Sequence, residues 1–401
     1  MSEDSICRKS LLRKLNQRNS SDWKLFRSKS IQIAIIHQAL NSPAVDGVIK
    51  PRKRTGFRDG GADIAFALQS SGHNVITPVH LPSPKLDQDW TFPDTKRGLA
   101  AAIQKGAELI WANTVLFRGH PLEKLLKTYD LRTVGQMSEN VHLFDDKQLT
   151  NQLIRKKGCP TPESFMIVND SFREVPGLVP VSKLNEKKIS SLGFSFPLIV
   201  KPVRGLGSQG VRKVENLCEM TMAVKKLFAD TVPVNGAPCS RFGNALIVEE
   251  FLPGQEFSVT VMPPGYYKIM GKSLNFEYHW ALTPVKRTRH FDGIAPGARV
   301  CPFLSSSELL PIEEAASSIF QNLLRQCEAA AEQVGATAPI RIDSRASSCG
   351  EIKLFDLNMK AEFTGPGRPT RAGKESLSCI AAQSVGWNYQ DFVSNVLANF
   401  N

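Results

Sequence analysis

The chain has 401 residues, enough for two to three domains at about 100–200 residues each. Its hydrophobic share of 42% and charged share of 22% are those of a globular protein and exclude disorder along most of its length, and no apolar stretch approaches the roughly 18 residues of a membrane span. The net charge of +12 does not mark a nucleic-acid binder: residues 1–58 hold 13 basic and 4 acidic residues, the other 343 carry only +3, and the excess therefore sits in a leader and one loop instead of on a folded face with interleaved aromatics.

Residues 1–29 read as a basic flexible leader (Arg8, Lys9, Arg13, Lys14, Arg18, Lys24, Arg27, Lys29) without the apolar core of a secretory signal. Its Ser and Leu content allows a mitochondrial presequence, Glu3 and Asp4 count against one, and a solvated tail or short helix is the plainer reading. A buried strand is predicted at 31–36, followed by a basic loop from Pro43 to Gly61 that includes Lys50-Pro-Arg-Lys-Arg54. A helix over 62–71 stopped by Gly72, a strand at 74–77, a Pro-rich loop, a helix over about 95–106 and a strand at 108–112 complete a β-α-β-α-β rhythm. That rhythm predicts an N-terminal open parallel α/β domain over 30–143.

A helix is expected from about 144 to 157, capped by Asp145 or Asp146 and ended by Gly158, with Pro160 and Pro162 preventing its resumption. Strands follow at 164–168, 196–202, 211–214, 245–251 and 256–262, with a helix near 216–229. Residues 308–334 read as one long amphipathic helix, and a hairpin covers 340–358. The eight cysteines lie no closer than about 20 residues apart, so there is no CxxC pair and no zinc spacing. The histidines form no HxxxH or HExxH pattern, so any metal must be held by carboxylates.

Three segments carry chemistry. The first is Phe196-Pro-Leu-Ile-Val-Lys-Pro-Val-Arg-Gly-Leu-Gly-Ser-Gln-Gly-Val211. Gly205, Gly207 and Gly210 match GxGxxG, but a strand-like Val211-Arg-Lys-Val214 follows where a Rossmann fingerprint needs a helix. No Lys-Ser/Thr follows Gly210, as a Walker A loop would require, and no HRD or DFG kinase sequence is present. Strand–loop–strand makes this a flexible lid whose N–H groups, with Ser208, can fold over phosphates, and Lys201 beside it can pair with phosphate oxygens. A glycine hairpin with a solvated lysine is the alternative.

The second segment, Leu246-Ile-Val-Glu-Glu-Phe-Leu-Pro-Gly-Gln-Glu-Phe257, ends an apolar strand on two acids and opens the next on Glu256. Glu249 is placed to accept from an exocyclic amine and Glu256 from ribose hydroxyls, or both are scattered acids of a surface hairpin. In the third segment, Pro339 to Asn358, strand alternation puts Arg341 and Asp343 on one face and Asp356 and Asn358 on one face. A turn centred on Cys349-Gly350 sets 343 opposite 356 and 341 opposite 358, so the four polar groups converge while Ile340, Ile342, Phe355 and Leu357 form the other face. Two carboxylates and an amide oxygen are hard donors that suit Mg²⁺ better than zinc. A half-solvated hairpin would show the same alternation.

Taken in this order, the three segments resemble the ATP-grasp superfamily, most closely its D-alanine–D-alanine ligase-like branch, over roughly residues 145–390. The resemblance implies an N-terminal pre-ATP-grasp α/β domain followed by a two-subdomain ATP-grasp fold: 144–254 with the glycine-rich lid, and 255–401 with the metal-binding hairpin. It implies ATP and two Mg²⁺ ions, with Mn²⁺ as an alternative. By motif position, Lys147 and Lys201 resemble the phosphate-holding lysines, and 204–210 the lid. Glu249 resembles the adenine-side acid, Phe251 and Leu252 the lining of the base, and Glu256 the ribose acid. Asp343, Asp356 and Asn358 resemble the metal ligands, Arg341 the arginine at the transferring phosphoryl group. Thr364-Gly-Pro-Gly-Arg-Pro-Thr-Arg371 takes the place of the substrate loop, with Gly365 and Gly367 presenting backbone N–H groups and Arg368 and Arg371 as a clamp for a second carboxylate or as solvent-facing cations.

Two departures stand out. The middle metal ligand is Asp356 where the family has Glu, and the N-terminal domain lacks the serine/glutamate signature that holds the first D-alanine. The implied reaction is activation of a small-molecule carboxylate as an acyl phosphate and its capture by an amine. A non-amine acceptor, or an ATP-binding regulatory protein without turnover, are the alternatives. Residues 283–299, long and basic, read as a lid over the acyl phosphate or a surface loop. A cytoplasmic location, no nucleic-acid or membrane partner and a homodimer as one assembly complete the expectations.

Overall fold

The computed structural model describes residues 31–400 apart from 51, 54, 172–176, 206, 235–236, 289, 291–292 and 295–305. The leader, and residues 289, 291–292 and 295–299 of the basic segment 283–299, lie outside the described residues.

The N-terminal sheet is parallel. Strands β1 (Gln32–His37), β2 (Asn74–Ile76), β3 (Phe92–Pro93), β4 (Leu109–Asn113) and β5 (Arg132–Val134) run in the order β2-β1-β4-β5, with β3 also on β1. β1 and β4 are apolar because both faces are covered, by helices α1 (Arg58–Ser70), α2 (Lys96–Gln104), α3 (Pro121–Thr128) and α4 (Ser138–Phe144) and by later parts of the chain. Thr95 caps α2 by accepting from the N–H of Gly98, and His120 with Pro121 opens α3.

Helix α5 (Lys147–Arg155) starts where Asp146 accepts from the N–H of Leu149. It leads into a second sheet of β6 (Ser164–Val168), β7 (Leu178–Pro180), β8 (Leu198–Pro202), β9 (Arg212–Val214) and β12 (Ala245–Glu250), ordered β7-β6-β12-β8-β9. Helices α6 (Glu186–Ser191) and α7 (Leu217–Ala229) and the small hairpin β10 (Thr231–Val234) and β11 (Ala237–Ser240) belong to the same stretch. The third sheet is β18-β17-β13-β19-β20, formed by β13 (Glu256–Met262), β17 (Val285–Arg287), β18 (Ser307–Leu309), β19 (Ile340–Ala346) and β20 (Ile352–Asn358), with β16 (Trp280–Ala281) also on β13. A separate hairpin, β14 (Gly265–Ile269) and β15 (Lys272–Phe276), precedes β16. Helices α10 (Leu377–Ala382) and α11 (Tyr389–Ala398) close the chain.

The region 308–334 is not one helix. Ser307–Leu309 pairs with β17, Pro311 starts the four-residue α8 (Ile312–Ala315), and the chain breaks at Ser317 before α9 (Ser318–Gln333). The amphipathic pattern is real but spans three elements, because an edge strand of three residues is too short to register against helical spacing.

The cores show what is bolted to what. One hydrophobic cluster mixes Ile33, Ile64 and Trp111 of the N-terminal unit with Trp280, Phe363, Trp387 and Phe392. A second joins Ile36 and Ile110 to Val259, Ile340 and Ile342. The third is confined to residues between Phe165 and Val248. The first and third sheets therefore share one packed body, and the second sheet keeps a core of its own against it. No described helix is long and apolar enough to cross a membrane. The six cysteines that are described are free thiols.

The segment after β20 is tied to α1 by charge. Arg368, 3% exposed, donates to Asp63 at 2.8 Å and pairs with Asp87 at 2.8 Å. Arg371 donates to Asp63 and to Asp59, both at 3.0 Å. Burial pushes the Asp63 carboxyl up to about 6 against the pull of the two arginines, so its charge depends on both of them. Arg368→Ala removes one counter-charge from a fully buried carboxylate and is expected to cost about 3–5 kcal/mol in urea unfolding. Arg368→Lys, which lacks the fork, is expected to restore only part of it.

Candidate active site

A cavity of about 1800 Å³, counting its open mouth, lies between the second and third sheets and reaches the N-terminal unit. Each wall follows from the local fold. β19 and β20 pair so that Arg341 faces Asn358 and Asp343 faces Asp356. A bulge between Asp343 and Ser344 then shifts the register to Ser344 opposite Leu354. Phe355 is the residue left over. It lines the cavity, and its carbonyl accepts from Lys201 at 3.3 Å. Strict alternation had placed Phe355 on the apolar face, and the bulge is the physical reason it is not there.

Carboxylates on directly opposed positions repel, and burial magnifies the repulsion. Asp343 is compensated by Arg341, which donates to both its oxygens at 3.0 and 2.9 Å, and by the Ser258 hydroxyl from β13 at 2.5 Å. The Asn358 amide donates to Asp343 at 3.3 Å. Asp356 is compensated by Lys147, whose Nζ lies 2.5 Å away. Burial opposes both charges of that last pair, yet mutual attraction holds Asp356 below the usual carboxylate range and Lys147 above the usual lysine range. Lys147 is the first residue of α5, and its N–H donates to Val203 at 3.1 Å, so the same residue links the hairpin to the start of the glycine segment.

Lys201 and Glu249 sit on neighbouring strands of the second sheet and pair at 2.6 Å, both almost wholly buried. Burial pushes the Glu249 carboxyl up, and Lys201 pulls it back. Phe251 and Leu252 follow in the connection to β13, with the Lys213 ammonium 4.7 Å from the Phe251 ring centroid. Glu256 opens β13 and meets His290 at 2.9 Å and Arg287 at 3.8 Å.

Of the glycine segment, Gly205, Gly207 and Ser208 line the cavity, the last with φ of +57°. Gly210 instead packs on Pro202 and Phe242, where an added Cβ would meet Pro202 at 2.8 Å. Arg204 is anchored to Asp46 at 3.3 Å and to the His142 carbonyl at 2.9 Å, which pins the segment's first residue.

The structure thus brings Lys147, Lys201, Gly205, Gly207, Ser208, Glu249, Phe251, Leu252, Glu256, Arg341, Asp343, Asp356 and Asn358 to one cavity. It does not bring the 365–371 segment there. Arg368 and Arg371 are neither a carboxylate clamp nor solvent-facing, because Asp59, Asp63 and Asp87 consume both guanidinium groups. Gly365 and Gly367 lie against Tyr389 and the Asp63 carbonyl, where Cβ atoms would approach to 2.2 and 2.3 Å.

Sequence reasoning missed Lys50, Lys53, Phe57, Lys360 and Glu362, all of which line the cavity. The signal was a dense run of cations just beyond the carboxyl end of β1, the position where open α/β sheets bind ligands. Lys50 pairs with Asp145, and Lys53 with Glu362 at 2.7 Å. Burial opposes the Glu362 charge, but Lys53 and Lys360 bring its carboxyl down to about 2. Burial brings Lys360 down to about 8.

Among the described residues no three His, Cys, Asp or Glu side chains cluster as a metal site. The two carboxylates and one amide of the hairpin are nonetheless a hard-oxygen set, concentrated on one face and held with cations close by, which fits a magnesium ion bridged to phosphate.

A model of the ATP-grasp domain matches residues 194–273. A D-alanine–D-alanine ligase from Actinobacillus succinogenes is 24% identical over 345 residues, covering 84% of this chain and 91% of the relative. One from Azobacteroides pseudotrichonymphae is 29% identical over 260 residues, covering 63% and 64%. Among solved structures, the VanG D-Ala:D-Ser ligase from Enterococcus faecalis superposes with a TM-score of 0.60 at 13% identity, over 93% of this chain and 100% of that one. The chain carries an ATP-grasp domain and is a distant relative of the D-alanine–D-alanine ligases. The D-alanine–D-alanine ligase from Bacillus anthracis superposes with a TM-score of 0.57 at 15% identity, over 92% of this chain and 96% of that one, a likeness of fold.

Removing Lys201 tests the coupling inside this cavity. Because burial already raises the folded pKa of Glu249, its ionisation costs stability, and that cost grows as pH rises through the folded value. Lys201→Met is expected to unfold near the wild-type urea midpoint at pH 5 and to lose about 3–5 kcal/mol by pH 8. Lys201→Met with Glu249→Gln is expected to flatten that pH dependence.

Proposed function

We propose that this chain is an ADP-forming ligase that activates a carboxylate with ATP as an acyl phosphate and couples it to an amine, forming an amide and releasing phosphate. The observation that carries the reading is the meeting of Lys147 and Lys201, one from a helix and one from the second sheet, at an acidic hairpin of the third. Such a convergence of ammonium groups and hard oxygen donors is what a triphosphate needs at its reacting end.

ATP is a consumed co-substrate in this reading. Phe251 and Leu252 would cover its base, and Glu249 and Glu256 would accept from base and ribose. Lys147, Lys201 and the N–H groups of Gly205 to Ser208 would hold phosphate oxygens. Asp343, Asp356 and Asn358 would hold Mg²⁺, which supplies charge neutralisation at the phosphoryl group in transfer. Arg341, fixed by Asp343 beside that point, would stabilise the negative charge that develops when a carboxylate oxygen attacks the γ-phosphate and again when the amine attacks the acyl carbon. The protein's part is positioning and charge compensation, since the acyl phosphate itself is reactive enough toward an amine once water is kept away.

The relatives' names point to amino-acid substrates as the first to try. ADP release is therefore measured against a panel of D- and L-amino acids, small peptides and simple acyl donors, with hydroxylamine present to trap an acyl phosphate as the hydroxamate and mass detection of products. Substrate-stimulated ADP release with hydroxamate upholds the reading, and nucleotide binding without either refutes it. Asp343→Asn is expected to keep measurable nucleotide binding and to lower ADP release at least about 100-fold. Turnover at the wild-type rate in that variant would contradict the metal assignment.

A further inference from the structure

The cavity contains an ammonium group that the reaction just described does not use. Four of its lysines are each neutralised by a carboxylate: Lys50 by Asp145, Lys53 by Glu362, Lys147 by Asp356 and Lys201 by Glu249. Lys360 has no carboxylate at ion-pair distance among the described residues. Its Nζ donates to Asn113 Oδ1 at 3.1 Å and lies 3.9 Å from the centroid of the Phe57 ring. Both partners are neutral.

They are also fixed. Asn113, at the end of β4, donates its Nδ2 to the Phe57 carbonyl at 2.8 Å, so the amide presents its oxygen to Lys360 and has no reason to turn. Phe57 is buried and held at φ of +61°, a left-handed conformation that is strained for a bulky residue and persists only where the surroundings impose it. A half-buried cation held in place by an amide dipole and a ring face is fixed in position for an anionic ligand in the cavity. Glu362, the carboxylate whose field acts most on Lys360, is already ion-paired with Lys53, so the ammonium matches one further carboxylate, whereas a dianionic phosphate would leave a charge without a partner.

The geometry points to Lys360 as the receptor for a carboxylate that a substrate carries in addition to the one that is activated, with Phe57 screening the ion pair from water. This rests on the ligase reading and narrows it to substrates bearing such a group. The group is either a second carboxylate of the activated substrate or the carboxylate of the amine that captures it, and the two sources separate experimentally.

The test compares wild type, Lys360→Gln and Lys360→Arg in two arms. In the first, hydroxylamine replaces the amine, and hydroxamate formation is measured for matched acids and ω-amides (aspartate with asparagine, glutamate with glutamine). In the second, ligation is measured for matched amines (glycine with glycinamide, alanine with alaninamide). The acid-to-amide ratio of kcat/KM is expected to fall about 10- to 100-fold in Lys360→Gln in one arm, through KM of that substrate and not KM for ATP. Lys360→Arg is expected to retain most of the preference, which separates loss of charge from loss of fold. A fall in the hydroxylamine arm assigns the carboxylate to the activated substrate, and a fall confined to the ligation arm assigns it to the amine. Ratios in Lys360→Gln equal to wild type in both arms overturn the role of Lys360, while hydroxamate formation still upholds the ligase. Wild-type protein that forms neither hydroxamate nor ADP with any member of the panel overturns the ligase reading and this inference with it.

Discussion

Two aspartates face each other across one antiparallel hairpin, and the arrangement around them is largely a response to that repulsion. Asp343 and Asp356 occupy directly opposed positions of β19 and β20, where like charges destabilise a strand pair even at a surface. The compensation comes from three elements: Arg341 from the hairpin itself, Ser258 from β13 and Lys147 from the helix that opens the second sheet's stretch of chain. A carboxylate pair satisfied only by groups from three elements is an assembly device as much as a binding one. The same cations that make the hairpin tolerable without a ligand stand where a triphosphate and its metal would need them.

The division of cores sets which walls of the cavity are packed together and which are joined across it by polar groups. The N-terminal sheet and the third sheet are packed into shared clusters, so Phe57, Asn113 and Lys360 are held relative to the acidic hairpin by side-chain packing. The second sheet has a separate core, and across the cavity it meets this body through polar links such as Lys201 to the Phe355 carbonyl and Arg204 to Asp46. Apolar clusters resist displacement because any gap forfeits close contacts, whereas these links depend on individual buried hydrogen bonds and ion pairs.

The parts of the fold legible in the sequence were those with strong local signals. The parallel N-terminal rhythm, the Asp146 cap and the opposition of Asp343 to Asp356 follow from periodicity, capping chemistry and a glycine turn, and each appears where expected. What escaped were effects decided at long range. Phe355 left its face because of a single bulged residue, and the 308–334 pattern divided because Ser307–Leu309 found an edge to pair with. Arg368 and Arg371 looked like substrate ligands, since a sequence shows a cation but not its partner, and their partners lie about 300 positions earlier on α1. Lys360 was overlooked for the converse reason. Nothing in its neighbourhood along the chain reveals that the groups around it in space are an amide and a ring.

The stretch from Asn358 to Arg371 draws these observations together. Its first residue belongs to the acidic hairpin, Lys360 and Glu362 line the cavity, and the arginines at its far end are buried against Asp59 and Asp63. A segment anchored by a sheet at one end and by a buried ion network at the other has little freedom between, so the anchors and the contacts of Lys360 and Glu362 place the intervening side chains together. The Asp63 network fixes the far end of this stretch against α1, while its near end is continuous with the acidic hairpin. The same tether ties the parallel sheet, through α1, to that hairpin.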